Sequence, residues 1–347
     1  MTRPAARISL LIGCLAALLL WPSACSRRDG DVVLYSSVDD QFLREVVGVF
    51  EKESGLSVRI VGDTEATKTT GLVERLIAEK ARPRADVWWS SEPFGTIRLA
   101  REGILEPFTP AGDRDFEDGW PLPLRAPDRS WHAFATRDRV LVYNSRKLAP
   151  RELPRTLRDL AAERFKGRVG IARPQFGTTR GHMGALLHDS GEPAFRAWLE
   201  SLKASGVRLY DGNATVVRAV AYGEIDLALT DSDDVHAGLR EGWPIAMALI
   251  GQSLTEAPSD RVTLAVPNTA ARVRGGRNAE GAARLLDFLL SERVERMLAE
   301  SESRNTPIRL KLVVELGLTR APGTPLDLGA IADSIPGAMR VCDEVCR

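Results

Sequence analysis

The sequence predicts an α/β protein with two lobes, and three observations support this fold class. The chain of 347 residues is long enough for two lobes of ~100 to 200 residues each. From Val32 onward, short apolar strands alternate with amphipathic helices, which is typical of α/β proteins rather than of sandwiches or bundles. The same order of strand, polar loop and helix then recurs in the second half. We therefore expect two lobes that are built alike.

The N-terminus predicts export from the cytoplasm. Arg3 and Arg7 precede a mostly apolar stretch, residues 8–21, and small residues follow it, as at a signal-peptide cleavage site. This apolar stretch is too short to span a membrane comfortably. Cys25 then stands where a bacterial lipobox places the cysteine that receives the lipid. The interpretation is a lipoprotein signal peptide, with secretion without a lipid as the alternative.

In the first half, three strands are predicted, and each runs into a polar loop that begins a helix. The strands are residues 32–35, 57–61 and 85–89, and the helices end near residues 53, 80 and 103. In open α/β sheets such loops lie together at the carboxyl edge, where ligands bind. The candidate ligand-binding residues in these loops are Ser36, Ser37, Asp39, Thr64, Glu65, Thr67, Thr69, Ser90 and Ser91. Helix capping is the alternative role for these side chains.

In the second half, residues 131–144 form a long strand-like run that can cross from one lobe to the other. Strands at 169–172, 207–210 and 225–229 follow, each with a polar loop and a helix. The candidate binding residues in these loops are Thr178, Thr179, Asn213, Asp231, Asp233 and Asp234. Hydroxyls at helix starts suit an oxyanion, whereas the three acids suit a cation or an amine, or are a solvated cap.

A second extended run, residues 262–273, can return the chain to the first lobe before two amphipathic helices at 279–290 and 292–300. The predicted division is a signal peptide (1–24), a tether (25–30), lobe 1 (31–135 plus 246–275) and lobe 2 (136–245 plus 276–347). Near the C-terminus, Cys342 and Cys346 can pair in an exported protein. A regular helix, however, holds them at the upper range of bridging distance.

Composition and motifs argue against other functions. Lys plus Arg and Asp plus Glu both number 47, so the net charge is zero and no basic surface suggests nucleic acid. The four histidines show no metal-binding spacing, and no Gly-x-Ser-x-Gly motif occurs, so we predict that the protein is not an enzyme. No cofactor is predicted.

The motifs, in their order along the chain, resemble those of substrate-binding proteins of bacterial ABC importers, in the extracellular solute-binding family that includes ferric-iron-binding proteins. The motifs are Leu34–Ser37, Asp63–Gly71, Ala85–Trp89, Val142–Asn144, Gly223–Leu229 and Val266–Thr269, followed by the helix from Ala282 to Ser291. The resemblance implies a two-lobed periplasmic binding protein fold of the class II type. Two hinge-crossing strands would join the lobes, with a ligand cleft between them.

The resemblance also implies a ligand, but with a departure from the family pattern. In ferric members, adjacent tyrosines bind the metal, and here those two positions match Asp233 and Asp234. Carboxylates are also suitable ligands for Fe(III). The expected cargo is a small polar ligand: ferric iron or another metal–anion complex, or an oxyanion such as a phosphonate or aminophosphonate. The alternative is a periplasmic carrier of a hydrophobic or lipid-like ligand that uses the same cleft.

The implied partners follow from this role. A membrane permease and an ATPase of an ABC importer would receive the cargo, and the receptor would be a monomer in the periplasm. It would touch the membrane only through the lipid on Cys25.

Overall fold

The structure is a computed structural model that describes residues 31–63, 69–254, 263–320 and 326–346. The predicted signal peptide, the tether with Cys25, and Thr64, Glu65 and Thr67 lie outside the described residues. In the described part of the chain, no helix is both long and apolar enough to cross a membrane.

The strands and helices alternate as the sequence predicts. The strands are β1 (Val32–Ser36), β2 (Val58–Gly62), β3 (Val87–Ser90), β4 (Leu105–Glu106), β5 (His132–Asn144), β6 (Val169–Ala172), β7 (Arg208–Tyr210), β8 (Leu227–Asp231), β9 (Ile245–Ala248) and β10 (Ala265–Val273). The helices are α1 (Asp40–Ser54), α2 (Thr70–Ala78), α3 (Pro93–Arg101), α4 (Gly177–Ala204), α5 (Asn213–Ala221), α6 (Ser232–Arg240), α7 (Ala279–Leu289), α8 (Glu292–Glu300), α9 (Leu310–Glu315) and α10 (Leu328–Val345). Short 3₁₀ turns lie at Ala111–Asp115, Pro150–Glu152, Leu157–Ala161 and Glu163–Phe165.

Helix α4 has a break at Gly191. Gly191 has φ of 74° and ψ of 162°, a conformation that a helix cannot continue through and that glycine adopts without steric cost. Pro193 follows two residues later, at a position that suits the first turn of a new helix.

The strand order β2-β1-β3-β10-β5-β8-β6-β7 joins the two lobes through β5. The first half of β5 pairs antiparallel with β10, from His132 opposite Ala270 to Asp138 opposite Ala265. Its second half pairs antiparallel with β8, beginning at Arg139 opposite Asp231. Strand β5 therefore leaves lobe 1 and enters lobe 2 between Asp138 and Arg139. Together with the return at β10, this confirms the two-lobed fold with hinge-crossing strands.

Apolar side chains cover the sheet of each lobe on both faces. In lobe 1, one face packs on α2 and α3, and the other packs on α1, α7 and α8. In lobe 2, α4 covers one face, and α5 and α6 cover the other. Burial of these faces is the main stabilising term for such layers.

The packing differs from the predicted division of the chain at three places. Helices α7 and α8, predicted for lobe 2, bury Leu285, Leu289 and Val294 in the same cluster as Val32 of lobe 1. Strand β9, mostly predicted for lobe 1, pairs with the lobe 2 half of β5. Helix α10 packs on both lobes. The reason is that the apolar faces of α7 and α8 pack on the lobe 1 sheet, although both helices follow the second crossing strand in the chain.

Both C-terminal cysteines are free thiols, so the disulfide considered from the sequence is not formed. The N–H of Cys346 donates to the carbonyl of Cys342 at 2.8 Å, so the helical geometry continues to the end of α10. Burial raises the pKa of the Cys342 thiol to about 12. This thiol packs as a small apolar side chain in the lobe 2 core.

Candidate functional site

A small cavity of about 70 Å³ lies where the two lobes meet, at the carboxyl ends of the strands. Lobe 1 contributes the start of α1, the end of β3, and β10. Lobe 2 contributes the starts of α4, α5 and α6. We call this cavity the cleft. Its polar lining residues are Asp39, Ser91, Arg137, Arg173, Thr178, Thr179, Asp211, Asn213, Asp231, Asp233, Asp234, Asn268, Ser303 and Asn305.

Asp231, at the end of β8, is the most heavily bonded carboxylate in the cleft. It forms ion pairs with Arg139 at 2.8 Å and with Arg137 at 3.3 Å. The Thr178 hydroxyl donates to it at 2.5 Å, and the Asn213 amide donates at 3.0 Å. Burial alone would raise the pKa of Asp231, but Arg139 and Arg137 hold it below its usual range. Asp231 is therefore ionised at neutral pH and organises the floor of the cleft.

Arg137 connects the two lobes directly. Its guanidinium donates to the carbonyl of Ser91 in lobe 1 at 2.6 Å, and it also lies 3.5 Å from a carboxylate oxygen of Asp233 in lobe 2. Burial opposes the charge on Arg137, but Asp233 and Asp231 keep the pKa of Arg137 above its usual value. The charge balance at the hinge thus depends on the same acids that line the cleft.

Asp233 and Asp234 lie in the first turn of α6, directly after Asp231. One carboxylate oxygen from each of the three residues lies within 4.8 Å of the others, which is a spacing that can hold a cation. Asp231 is buried, whereas Asp233 and Asp234 are partly exposed to the cleft. Because the bonds of Asp231 are already taken up by arginines, threonine and asparagine, Asp233 and Asp234 are the better candidates for direct ligands.

The hydroxyls at the start of α4 and the amide at the start of α5 form one hydrogen-bonded group. The Asn213 amide donates to the Thr178 hydroxyl at 3.0 Å, and the Thr179 hydroxyl donates to the Asn213 carbonyl oxygen at 3.5 Å. The hydrogen bonds from Thr178 and Asn213 hold the Asp231 carboxylate in position. The structure therefore brings the lobe 2 candidates Thr178, Thr179, Asn213, Asp231, Asp233 and Asp234 into the one cleft.

The lobe 1 candidates have different positions. Ser36, Ser37 and Ser90 are buried and do not line the cleft, and the hydroxyls of Ser37 and Ser90 lie 3.2 Å apart, within hydrogen-bond distance of each other. Ser36 accepts a bond from the N–H of Val38 at 3.2 Å. Only Asp39 and Ser91 of the described lobe 1 candidates line the cleft. Thr69 lines a separate cavity, which is described below.

Sequence reasoning missed the arginines of the cleft. Arg137 and Arg139 alternate with Asp138 in the middle of β5, a strand that is otherwise mostly apolar. Charges in a buried crossing strand are rare unless they are paired, and this is the signal that could have identified them. Arg173, Asn268 and Asn305 were also missed. Arg173 is the first residue of the loop between β6 and α4, whereas Asn268 lies in β10 and Asn305 lies after α8.

Residues 32–301 match the family described as bacterial extracellular solute-binding protein. Iron uptake protein A1 of Synechocystis is 28% identical over 314 residues, which cover 86% of this chain and 82% of that protein. The major ferric iron-binding protein of Neisseria meningitidis serogroup B is 28% identical over 293 residues, with 84% of each chain covered.

A more distant relative has a different ligand in its name. A candidate 2-aminoethylphosphonate-binding periplasmic protein of Salmonella paratyphi A is 25% identical over 300 residues, covering 83% of this chain and 81% of that protein. Among solved structures, the apo ferric ion-binding protein A of Pasteurella haemolytica superposes with a TM-score of 0.79 at 19% identity, covering 91% of this chain and 98% of that one. This likeness concerns the fold.

The family match covers most of the chain, including both lobes, the crossing strands and most of the residues that line the cleft. The chain belongs to the bacterial extracellular solute-binding proteins, which bind substrates for transport and are not enzymes.

Proposed function

We propose that this protein is the periplasmic receptor of an ABC importer and that it carries a hard cation, with ferric iron as the first candidate. The observation that most supports this is the cluster of Asp231, Asp233 and Asp234 in the cleft. Carboxylate oxygens are hard ligands and suit Fe(III). Relatives named for iron uptake and for ferric iron binding match more than four fifths of the chain, which agrees with this cargo.

The proposed ligands replace phenolates with carboxylates. By the resemblance to ferric members, Asp233 and Asp234 match the positions of the tandem tyrosines. Among the described residues, no tyrosine lines the cleft. Asp39 faces them from lobe 1 and would add a third carboxylate on closure. The start of α4 and Arg173 lie in the same cavity and would bind an anion that accompanies the metal.

Cargo in the cleft would hold the lobes together. A ligand that touches residues of both lobes binds the closed arrangement better than the open one, and so it shifts the hinge equilibrium toward closure. The permease and its ATPase would then recognise the closed receptor. We also propose that the receptor is monomeric and anchored through lipid on Cys25, and membrane release of Cys25→Ser tests the anchor.

A second cargo, an aminophosphonate, is favoured by the mixture of charges in the cleft. Arg137 and Arg173 lie in the same cavity as the acids, so a zwitterion would find a partner for each of its charges. The distant relative with 2-aminoethylphosphonate in its name agrees with this cargo. A hydrophobic cargo fits less well, because it would displace water from the charged groups of the cleft without offering them a hydrogen bond.

Isothermal titration calorimetry distinguishes these cargoes. Purified mature protein is titrated with Fe(III) citrate, with 2-aminoethylphosphonate, and with phospholipid micelles. The double variant Asp233→Ala with Asp234→Ala is compared with Glu163→Ala with Glu315→Ala, which removes the same charge from the exposed surface. We expect tight Fe(III) binding that only the first variant loses. Binding of 2-aminoethylphosphonate alone would replace iron by the second cargo, and binding of lipid alone would overturn both.

A further inference from the structure

A second cavity between the lobes has a chemistry different from that of the cleft. It has a volume of about 210 Å³ and lies between α2 and α3 of lobe 1 and the start of α4 and the middle of α10. Gly177 lines both this cavity and the cleft, so the two are neighbours. None of the acids of the cleft lines it. Three arginines do: Arg98, Arg101 and Arg180.

Thr69 lines this cavity at the start of α2. Its side chain is 4% exposed, and its hydroxyl has no hydrogen-bond partner within the described residues. Thr69 is the N-cap of the nine-residue helix α2, but its side chain makes no capping bond. A buried hydroxyl without a partner destabilises the folded protein, and this penalty disappears when a ligand supplies the partner.

The backbone conformation of Thr69 keeps it out of the usual capping geometry. Its φ is 69°, in the left-handed region that β-branched residues rarely adopt. The first N–H groups of a helix lack partners within the helix, and the helix dipole makes this end favourable for an anion. The N–H of Leu72 already donates to Asp63 at 3.4 Å. The Thr69 hydroxyl and the N–H of Thr70, both from residues that line the cavity, are therefore the donors on its lobe 1 side.

Arg180 faces the cavity from the first turn of α4 in lobe 2. Its guanidinium has no hydrogen-bond or ion-pair partner among the residues that the structure describes, and the side chain is half-buried. Burial lowers the pKa of Arg180, and Glu92 opposes this. The other two arginines are already paired, Arg98 with Glu74 and Arg101 with Asp333. Among the described residues that line the cavity, Arg180 is thus the arginine whose guanidinium has no ion-pair partner.

The acids of the cavity do not neutralise Arg180 through a direct bond. Glu92 is buried, and its two carboxylate oxygens accept the N–H groups of Phe94 and Gly95 at 2.7 and 2.9 Å. Glu92 is therefore used as the N-cap of its own helix, α3. Glu102 is exposed at the rim. Neither acid of the cavity therefore bonds directly to the guanidinium of Arg180.

We propose that this cavity binds a small oxyanion, a carboxylate or phosphate group, between Arg180 of lobe 2 and the start of α2 in lobe 1. A guanidinium and helix N–H groups are the donors that proteins use for such groups. The site is separate from the cation site of the cleft and does not depend on the identity of the cargo. Because the donors come from both lobes, the bound oxyanion stabilises lobe closure.

The lobes already approach closely beside this cavity. A Cβ at Gly181 of α4 would lie 2.1 Å from the ring of Phe94 in α3, so only glycine allows this approach. The contact sets the distance across which an anion would join Arg180 to α2. Any side chain at residue 181 would widen the cavity and separate its two sets of donors.

The test is calorimetry with inorganic phosphate and, separately, with acetate, in a buffer free of other oxyanions. Wild-type protein is compared with Arg180→Gln, Thr69→Val and the surface control Arg340→Gln, whose arginine pairs with Glu192 on the exposed surface. We expect the affinity of the preferred anion to fall roughly tenfold or more in the first two variants and to stay unchanged in the control. Arg180→Lys should retain part of the affinity, because it retains the charge.

Thr69→Val tests whether the Thr69 hydroxyl binds the anion or only lacks a hydrogen-bond partner. Valine has the same shape without the hydroxyl, so in the absence of anion the variant should melt at a higher temperature than the wild type. With saturating anion this difference should shrink. No binding of either anion by the wild type, or equal affinity in all variants, would overturn the proposal. The double variant of Asp233 and Asp234 should bind this anion normally, which distinguishes this proposal from that for the cation.

Discussion

In both lobes a polar loop follows each strand of the sheet, but the side chains of these loops have different roles in the two lobes. In lobe 2 the loops after β6, β7 and β8 direct their threonines, asparagine and aspartates into the cleft. In lobe 1 the serines after β1 and β3 bond to one another beneath it. The difference lies in available partners, because hydroxyls on adjacent parallel strands can satisfy each other, whereas adjacent carboxylates repel and need cations. Acidic loops are therefore the stronger predictor of a binding surface.

The largest expected effect in this comparison is on the free energy of unfolding, when Asp231 at the centre of the lobe 2 ion pairs is replaced. Asp231→Ala leaves Arg137 and Arg139 buried without their shared counter-ion. Removing one partner of a buried ion pair typically lowers the free energy of unfolding by about 3 to 5 kcal/mol. Urea denaturation of the ligand-free protein should show this loss in the free energy of unfolding. A loss below about 1 kcal/mol would mean that the network does not stabilise the fold.

The next effect is on binding and compares one acid from each lobe. Asp233→Ala should weaken Fe(III) binding about 100-fold, which corresponds to about 2.7 kcal/mol, because a direct carboxylate ligand is lost. Asp39→Ala, on the exposed lip of lobe 1, should cost about tenfold, since it engages only on closure. Calorimetry with Fe(III) citrate measures both. If Asp39→Ala is the more damaging change, lobe 1 supplies the primary ligand and the comparison is reversed.

Some features of the fold and of the cleft could be predicted from the sequence, and others could not. The strands, the helices and the crossing at β5 follow from apolar periodicity, which reflects burial on a local scale. The position of Asp231, Asp233 and Asp234 at the edge of the sheet was also predictable, because they directly follow a predicted strand. The roles of Ser37 and Ser90 were not predictable, since they depend on a contact between residues 53 positions apart. Likewise, the placement of α7 and α8 on lobe 1 depends on which sheet their apolar faces fit.

A smaller effect concerns the hinge strand between the lobes. Asp138 follows Arg137 on β5 but lines a different cavity, and burial together with Asp231 raises the pKa of Asp138 to about 6. The folded state therefore binds this proton more tightly than the unfolded state, and stability is lost as pH rises from about 4 to 6. Asp138→Asn should be more stable than the wild type at pH 7 by about 1 to 2 kcal/mol, allowing for partial exposure.

Urea denaturation from pH 4 to 8 checks this prediction. Glu92 and Glu295 also have raised pKa values, so part of the pH dependence will remain in the variant. The difference between the two proteins isolates Asp138, and it should vanish near pH 4. A constant difference across the range would mean that the substitution acts through packing.

The smallest expected effect tests the inward-facing serines of lobe 1. Ser90→Ala removes the contact with the Ser37 hydroxyl and the bond accepted from the N–H of Glu92. Each such bond contributes about 0.5 to 1.5 kcal/mol net, and the remaining Ser37 hydroxyl still accepts from the N–H of Ser91. Urea denaturation should therefore show a loss of about 1 kcal/mol, with Fe(III) affinity unchanged. If affinity falls instead while stability holds, these hydroxyls reach the ligand, and the two lobes use their loops alike.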